Sequence, residues 1–405
     1  MNKILIIIPY GGVGGIERLA LNFYHYYKAV KYDVKVVKIV QQENDIVRFG
    51  DDELYLSRQD FSTMSKGKRL RFYTSGPMQI RKIVHRYKIT HSIALGDMAN
   101  LFSSLSFSKE YKVGSIHSMK SLEFSNPSFF NKVSKFGYRS SYRFLDKVVC
   151  ISKAIKEDLL QNCGFAFPKK LEVIYNPHDI KNIKKLAEEH IEEPIEKNLF
   201  KTPIVLFLGR ISTVKAPWYL LKAFSLAVQK APNLKLVFLG DGDTEVLNTL
   251  KTMIATRGLE EKVVFLGRKA NPYPYLAKAR VLALSSYYEG TPNVIVEAMS
   301  LSVPIVTTKC TDGIEELMGT GHPLNGVTDT LYTEVGIITP TVFKGTLEIP
   351  KDTISLSAEE ISLAQGLQEV VNGRKFYRNL DELQKLLQKF DLETVANSYL
   401  KPRDV

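Results

Sequence analysis

Two cations five residues apart, Arg210 and Lys215, flank the turn Gly209-Arg210-Ile211-Ser212-Thr213-Val214-Lys215 between an apolar run and a helix-length stretch. Cations so placed could clamp a diphosphate, with helix N–H groups facing the same anion. The plain alternative is a pair of surface cations on a loop. Downstream, Ser285 to Met299 contains Glu289-Gly290-Thr291-Pro292-Asn293 and, deeper, Glu297. Thr291 suits an N-cap and Pro292 the first helical position, so a helix would point its positive end at whatever lies in front of it. Carboxylates at Glu289 and Glu297 suit a ribose or a sugar, because each accepts two hydroxyl hydrogens. Taken singly, both residues are as well explained by solvent exposure.

A third candidate is the loop Tyr10-Gly11-Gly12-Val13-Gly14-Gly15-Ile16-Glu17. Glycines let a backbone approach a ligand closely, and a following helix N-terminus favours an anion. A dinucleotide site would want Gly-x-Gly-x-x-Gly, yet counting from Gly12 the last position is Glu17. A tight turn explains the loop equally well.

Such residues need strand ends to hold them, and the sequence supplies two series of strands. The first half offers Lys3–Ile8, Val34–Val40, Ser92–Leu95, Lys112–Ile116, Lys147–Ile151 and Leu171–Tyr175, with helices near Ile16, over Gln79–Tyr87 and around Ala154–Leu160. The second half repeats the rhythm at Ile204–Leu208, Leu234–Leu239, Val263–Leu266, Val281–Leu284 and Val303–Thr307. Short continuous apolar strands alternating with helices imply parallel sheets covered on both faces, hence an α/β fold with two Rossmann-like domains. Two sheets in tandem would leave a cleft, with ligands outside the carboxyl ends of the strands.

The expected domains are 1–180 and 203–378, joined by a polar linker at 181–202. Residues 379–405 are expected as C-terminal helices that return to the first domain. The charged residues Lys181, Lys184, Lys185, Glu188, Glu189, Glu192 and Glu193 read as a solvated face of that linker.

Composition narrows the class. An apolar share of 44% against 24% charged excludes a disordered chain. No apolar run approaches the roughly 20 residues of a membrane span, and the N-terminus lacks the features of a signal peptide. Cys150, Cys163 and Cys310 are an odd count without metal-like spacing, which fits buried thiols in a reducing, cytoplasmic setting.

The net charge of +12 is all in one half: residues 1–180 hold 28 Lys+Arg against 16 Asp+Glu, leaving 27 of each beyond. A basic half points to an anionic partner, whether membrane surface, phosphorylated acceptor or nucleic acid. One basic cluster runs from Lys66 to Lys88. Another holds Lys132, Lys135, Arg139, Arg143 and Lys147 among Phe129, Phe130, Phe136, Tyr138, Tyr142 and Phe144. Cationic and aromatic side chains together suit peripheral docking on anionic lipid, and the aromatics suit a core equally well.

The glycine loop, the Gly-Arg…Lys turn and the Glu289…Glu297 pair occur in order. Val149-Cys150-Ile151-Ser152-Lys153, Val173-Ile174-Tyr175-Asn176-Pro177-His178-Asp179, Leu239-Gly240-Asp241-Gly242-Asp243 and Val264-Phe265-Leu266-Gly267-Arg268 accompany them. Together they resemble the retaining glycosyltransferases of family 4 (GT-B fold), nearest to those assembling bacterial surface or lipid-linked glycans. The likeness runs from Lys3 to about Glu316.

That resemblance implies that Arg210 and Lys215 bind the donor diphosphate, Glu297 the nucleotide ribose and Glu289 the donor sugar. It implies a cleft histidine at His117 and a phosphate-facing loop at Gly14 and Gly15. Arg268, Gly290, Thr291 and Asn293 fall in its donor-binding segments. It implies a nucleoside diphosphate sugar, UDP-sugar by preference, as donor substrate, with no obligatory metal. Asp241-Gly242-Asp243 spells the metal signature of the other main glycosyltransferase fold, but follows a second-half strand as in GT-B proteins.

Departures are Ala216 where glycine commonly follows the lysine, Asn176-Pro177 for Asn-Gly, and a long Met318–Lys351 stretch expected as a flap, acceptor contact or surface loop. An epimerase or phosphorylase of the same fold, an NAD oxidoreductase and a nucleic-acid-binding protein remain alternatives. The last has no recognised motif here.

Overall fold

The computed structural model describes residues 2–12, 14–42, 45–60, 63–124, 128–289, 291–319, 322–323, 330–350 and 355–402. The chain divides into two compact units, Met1–Pro177 with Lys389–Val405, and His178–Gln388.

The first unit contains β1 (Lys3–Ile8), α1 (Gly15–Ala29), β2 (Asp33–Val40), β3 (Glu53–Ser57), α2 (Lys66–Tyr87), β4 (His91–Leu95) and α3 (Asp97–Ser104). It continues with β5 (Tyr111–Ile116), α4 (Lys120–Phe124), α5 (Phe129–Arg139), β6 (Lys147–Cys150), α6 (Lys153–Gln161) and β7 (Leu171–Val173). Its strands form one parallel sheet in the order β3-β2-β1-β4-β5-β6-β7. Ile4 to Ile8 are wholly buried because helices cover both faces of this central strand. The edge strand β3, Glu-Leu-Tyr-Leu-Ser, is only partly buried and has no apolar run to announce it. Helix α2 begins well before the expected Gln79, capped by the Ser65 hydroxyl on Lys68 N–H and running through Pro77.

The second unit opens with α7 (Ile180–Ala187) and α8 (Pro194–Leu199), where a solvated linker was expected. Both helices pack on their own unit. Lys269 pairs with Glu196 at 2.5 Å, Tyr275 donates to the same carboxylate at 2.6 Å, and Asn271 donates to the Leu186 carbonyl at 2.8 Å. Glu196 thus anchors α8, while Lys181, Lys184, Lys185, Glu188, Glu189, Glu192 and Glu193 are exposed, as read from the sequence.

Next come β8 (Ile204–Leu208), α9 (Pro217–Lys230), β9 (Lys235–Leu239), α10 (Thr244–Thr256), β10 (Val263–Gly267), α11 (Tyr273–Lys278), β11 (Val281–Leu284), α12 (Asn293–Ser300) and β12 (Ile305–Thr308). Then follow α13 (Gly313–Met318), β13 (His322–Pro323), β14 (Leu331–Tyr332), β15 (Gly336–Thr339), α14 (Ala358–Val371) and α15 (Leu380–Gln388). The sheet order is β10-β9-β8-β11-β12-β15-β14-β13, parallel as far as β15 with an antiparallel β13–β14 edge.

The expected flap at 318–351 is thus partly sheet. Gly336 to Thr339 lie beside β12, and a Cβ on Gly336 would fall 1.9 Å from the Ile305 carbonyl oxygen. Four residues with only two aliphatic side chains were too short a run to read as a strand.

Helix α16 (Leu392–Leu400) belongs to the first unit. Its Tyr399 ring meets Phe23 edge-on at 4.8 Å, and Tyr27 donates to the Ala396 carbonyl at 2.8 Å. Within the second unit, Lys222 of α9 and Glu360 of α14 form an ion pair of 2.7 Å. Both side chains are under a tenth exposed.

Candidate active site

In the second unit the parallel order sets the carboxyl ends of β10, β9, β8, β11 and β12 side by side. Arg268 follows β10, Gly240–Asp243 follows β9, Arg210–Lys215 follows β8 and Ser285–Glu289 follows β11. The β8 and β9 loops lie against each other. Ile211 N–H donates to the Asp241 carbonyl at 2.8 Å, and Asp243 N–H to the Ile211 carbonyl at 2.9 Å. Gly240 has φ +146°, and a Cβ there would sit 2.0 Å from the Gly209 carbonyl oxygen, so only glycine allows the contact.

Lys215 ends a 3-10 turn, Thr213–Lys215, that two bonds fix to the β11 loop. Tyr287 N–H donates to the Val214 carbonyl at 2.8 Å, and the Ser285 hydroxyl to the Ala216 carbonyl at 2.9 Å. Its ammonium forms an ion pair with Glu289, whose Oε1 also accepts the Ser286 hydroxyl at 2.8 Å. Ala216 sits at φ +42°, the left-handed region, which costs a residue with a Cβ about 1–2 kcal/mol. A glycine would hold this conformation freely, which accounts for the glycine common at this position, and nothing in the structure explains the alanine.

Helix α12 starts at Asn293, with Pro292 rather than Thr291 in the N-cap position and no side chain capping it. Ile295 N–H turns back to the Pro292 carbonyl at 3.1 Å, and proline has no hydroxyl or carboxylate to offer, so no side chain of the N-cap competes with an anion for the Asn293 and Val294 N–H groups. Asn293 Oδ1 is buried without a hydrogen-bond partner among the described residues, an orphan that a ligand or water would satisfy. Glu297, one turn on, is 7% exposed and accepts from the Tyr273 hydroxyl at 3.5 Å. Arg210 and Arg268 are exposed. Gly290 lies outside the described residues.

The structure therefore brings together Lys215 and Glu289. It seats Asn293 and Glu297 on one helix, and leaves Arg210 and Arg268 exposed after β8 and β10, with β9 between those strands. Sequence reasoning did not single out Ser286 and read Cys310 only as a buried thiol, not as a neighbour of Lys215 and Glu289. Burial first, then the Glu289 charge, pushes the Cys310 thiol up to about 12, against the opposing pull of Lys215.

The first unit holds a separate cavity of about 570 Å³, lined by Tyr10, Arg69, Tyr73, Asp97, His117 and Lys120 among others. His117 follows β5, and its Nε2 lies 2.6 Å from the Ser115 hydroxyl. Burial first, and the Lys120 charge second, lower its pKa to about 3, so the ring is neutral at physiological pH. Burial works against the Lys120 ammonium, but Asp97 at 2.9 Å and Glu123 at 2.7 Å outweigh it and raise its pKa. Tyr138 donates to the other Asp97 oxygen at 2.8 Å.

Gly14 is the N-cap of α1 and Gly15 its first residue. The Glu17 carboxylate folds back there, since a Cβ on Gly14 would meet its Oε2 at 2.5 Å. This helix end already faces an anion of its own. Val13 lies outside the described residues.

Two family models match the chain: Glycosyltransferase Family 4 over residues 13–182 and Glycosyl transferases group 1 over residues 190–328. The chain belongs to the group 1, family 4 glycosyltransferases. The transferase is 29% identical over 324 residues to N-acetylgalactosamine-N,N'-diacetylbacillosaminyl-diphospho-undecaprenol 4-alpha-N-acetylgalactosaminyltransferase of Campylobacter jejuni. That match covers 79% of this chain and 84% of that protein. It is 26% identical to an uncharacterized glycosyltransferase of Methanocaldococcus jannaschii over 67% of this chain and 66% of that one.

In fold the transferase is similar to the Anabaena protein HepE solved in complex with UDP. The TM-score is 0.70 at 20% identity, with 98% of each chain covered. That protein shares the GT-B arrangement of two Rossmann-like α/β domains, as the resemblance in the sequence implied.

Proposed function

We propose that the transferase moves a sugar from a nucleoside diphosphate donor, UDP-sugar first, to a hydroxyl of a glycan or lipid-linked acceptor in bacterial surface polysaccharide assembly. On this reading the second unit is the donor domain and the first takes the acceptor. The anomeric configuration is retained, no metal is obligatory, and the enzyme works on the cytoplasmic side, peripheral to the inner face of the membrane. The observation that carries the reading is the Lys215–Glu289 pair set between β8 and β11 beside the uncapped N-terminus of α12. The Anabaena neighbour holds UDP, and the Campylobacter relative's name gives a diphospho-undecaprenol acceptor.

Negative charge develops on the departing diphosphate as the sugar C1–O bond breaks. Arg210, Lys215 and the α12 amides supply preorganised positive charge for it. Glu297 suits the ribose hydroxyls, and Glu289 a hydroxyl of the donor sugar. In a same-face reaction the acceptor oxygen bonds to C1 while its proton passes to the leaving phosphate oxygen. Neutral His117 can then offer or accept a hydrogen bond near the transferred sugar without adding charge. Gly14 and Gly15 are the weakest members of this set, because Glu17 stands where a phosphate would bind.

The test is nucleoside diphosphate release from a panel of nucleotide sugars, with and without a diphospho-lipid acceptor, and NMR of the new linkage. Acceptor-dependent release with an unchanged anomeric configuration supports the reading. Release or epimerisation without acceptor overturns the acceptor half of it, and an inverted linkage overturns retention.

A further inference from the structure

Among the described residues, three of the chain's phenylalanines are exposed, and all three lie on neighbouring segments of the first unit. Phe107 is 54%, Phe136 61% and Phe144 38% exposed. Helix α5, helix α3 and the 3-10 turn Ser141–Phe144 pack against one another. The Ser104 and Ser141 hydroxyls, 2.9 Å apart, tie α3 to that turn. Phe107 and Phe144 meet edge-on at 5.0 Å.

The way Phe107 is held argues against chance exposure. It sits at φ +50°, a region disfavoured for a residue with a Cβ. Its neighbours Ser106 and Ser108 are buried, with their hydroxyl oxygens 2.7 Å apart. Ser106 donates to the Ser103 carbonyl, Ser108 to Glu110, and Lys112 to the Ser108 carbonyl. A buried polar network thus fixes the turn on both sides, and the residue between them is turned outward.

The surroundings are basic. The outward face of α5 carries Lys132, Phe136 and Arg139 at spacings of four and three residues. Arg143 lies over the Phe144 ring at 4.7 Å, and Lys170 donates to the Arg143 carbonyl at 2.9 Å. Residues 128–144 hold four Lys or Arg and no Asp or Glu. Three exposed aromatic rings amid these cations, with Asp146 the nearest exposed carboxylate in sequence to Phe144, match an anionic bilayer, where rings enter the headgroup region and cations meet lipid phosphates.

We propose that Phe107, Phe136 and Phe144, with Lys132, Arg139 and Arg143, form the surface by which the first unit docks on anionic lipid. This deepens the membrane placement proposed above. It is read without sugar transfer, so either can fail alone.

The full chain is sedimented with vesicles of phosphatidylcholine alone and with added phosphatidylglycerol, over a range of salt. Salt-sensitive binding confined to the anionic vesicles is expected, weakened about tenfold or more by Phe107→Ser/Phe136→Ser/Phe144→Ser. The variant Lys132→Gln/Arg139→Gln/Arg143→Gln, which keeps the rings, is expected to weaken binding about tenfold or more as well. Unfolding midpoints of both variants, close to the parent's because the side chains are exposed, separate lost docking from lost fold. No binding by the parent, equal binding by a folded variant, or a parent dimer abolished by the serine substitutions would overturn the proposal. The last result would make the surface a contact between copies.

Discussion

Lys215 and Glu289, 74 residues apart in sequence, close an ion pair between the loops after β8 and β11. Each is a candidate for the donor, and each is the other's ion-pair partner. A diphosphate reaching Lys215 would replace the carboxylate, freeing Glu289 for the sugar. The two residues should therefore act as a unit. Lys215→Ala is expected to lower kcat about 100-fold or more. Adding Glu289→Ala should cost less than the product of the two single losses. A kinetic double-mutant cycle measures this; strictly multiplicative losses would mean that the pair is incidental.

His117 gives a pH prediction. Its folded pKa is lowered to about 3, against an unfolded value near 6.5. The unfolded state then binds the proton more readily, so stability present above about pH 6.5 falls as pH drops toward 3. His117→Asn should flatten that part of the stability–pH curve in urea titrations. The rate should show no titration assignable to His117 between pH 5 and 8.

The glycine loop of the first unit rests on a buried charge cluster. Lys38 is wholly buried, 3.0 Å from Asp45, 2.9 Å from Glu53 and 2.7 Å from the Val47 carbonyl. Asp45 in turn accepts Gly11 N–H at 3.0 Å. Lys38→Met leaves two carboxylates without their cation and should destabilise the chain by about 3–5 kcal/mol. Denaturant unfolding checks the size, and a loss under about 1 kcal/mol would show the cluster to be well solvated.

The Lys222–Glu360 pair makes a parallel case in the second unit, where Glu360 also completes a capping box with Ser357. Glu360→Ala removes a cap and takes the 2.7 Å ion-pair carboxylate away from a buried ammonium. An expected loss of about 3–5 kcal/mol should appear in urea unfolding. Lys222→Met/Glu360→Met should recover much of it, because replacing both charges leaves neither one unpaired.

Legibility in the sequence followed burial. Strands such as Ile4–Ile8 and Ile204–Leu208 are covered on both faces and show as apolar runs; β3 and β15 are short or half-buried and do not. Lys215, Glu289 and Glu297 could be named because their spacing on strand-to-helix turns carries chemistry and resembles a known family. That Lys215 meets Glu289 could not, since it depends on β8 and β11 being sheet neighbours while β9 and β10 intervene in sequence. The burial of His117 and its neighbour Lys120 depends likewise on how helices close over β5. Residues 181–202 read as a linker because their exposed charges dominate the composition, and nothing there signalled the two short helices, α7 bonded by Asn271 and α8 by its own Glu196.

The most direct test of the central claim is calorimetric titration of the parent chain, Lys215→Ala and Glu297→Ala with UDP, GDP, ADP and NAD. The account predicts that one nucleoside diphosphate, UDP first, binds the parent and binds both variants at least about tenfold more weakly. Binding of NAD alone, or nucleoside diphosphate binding untouched by either substitution, would contradict it.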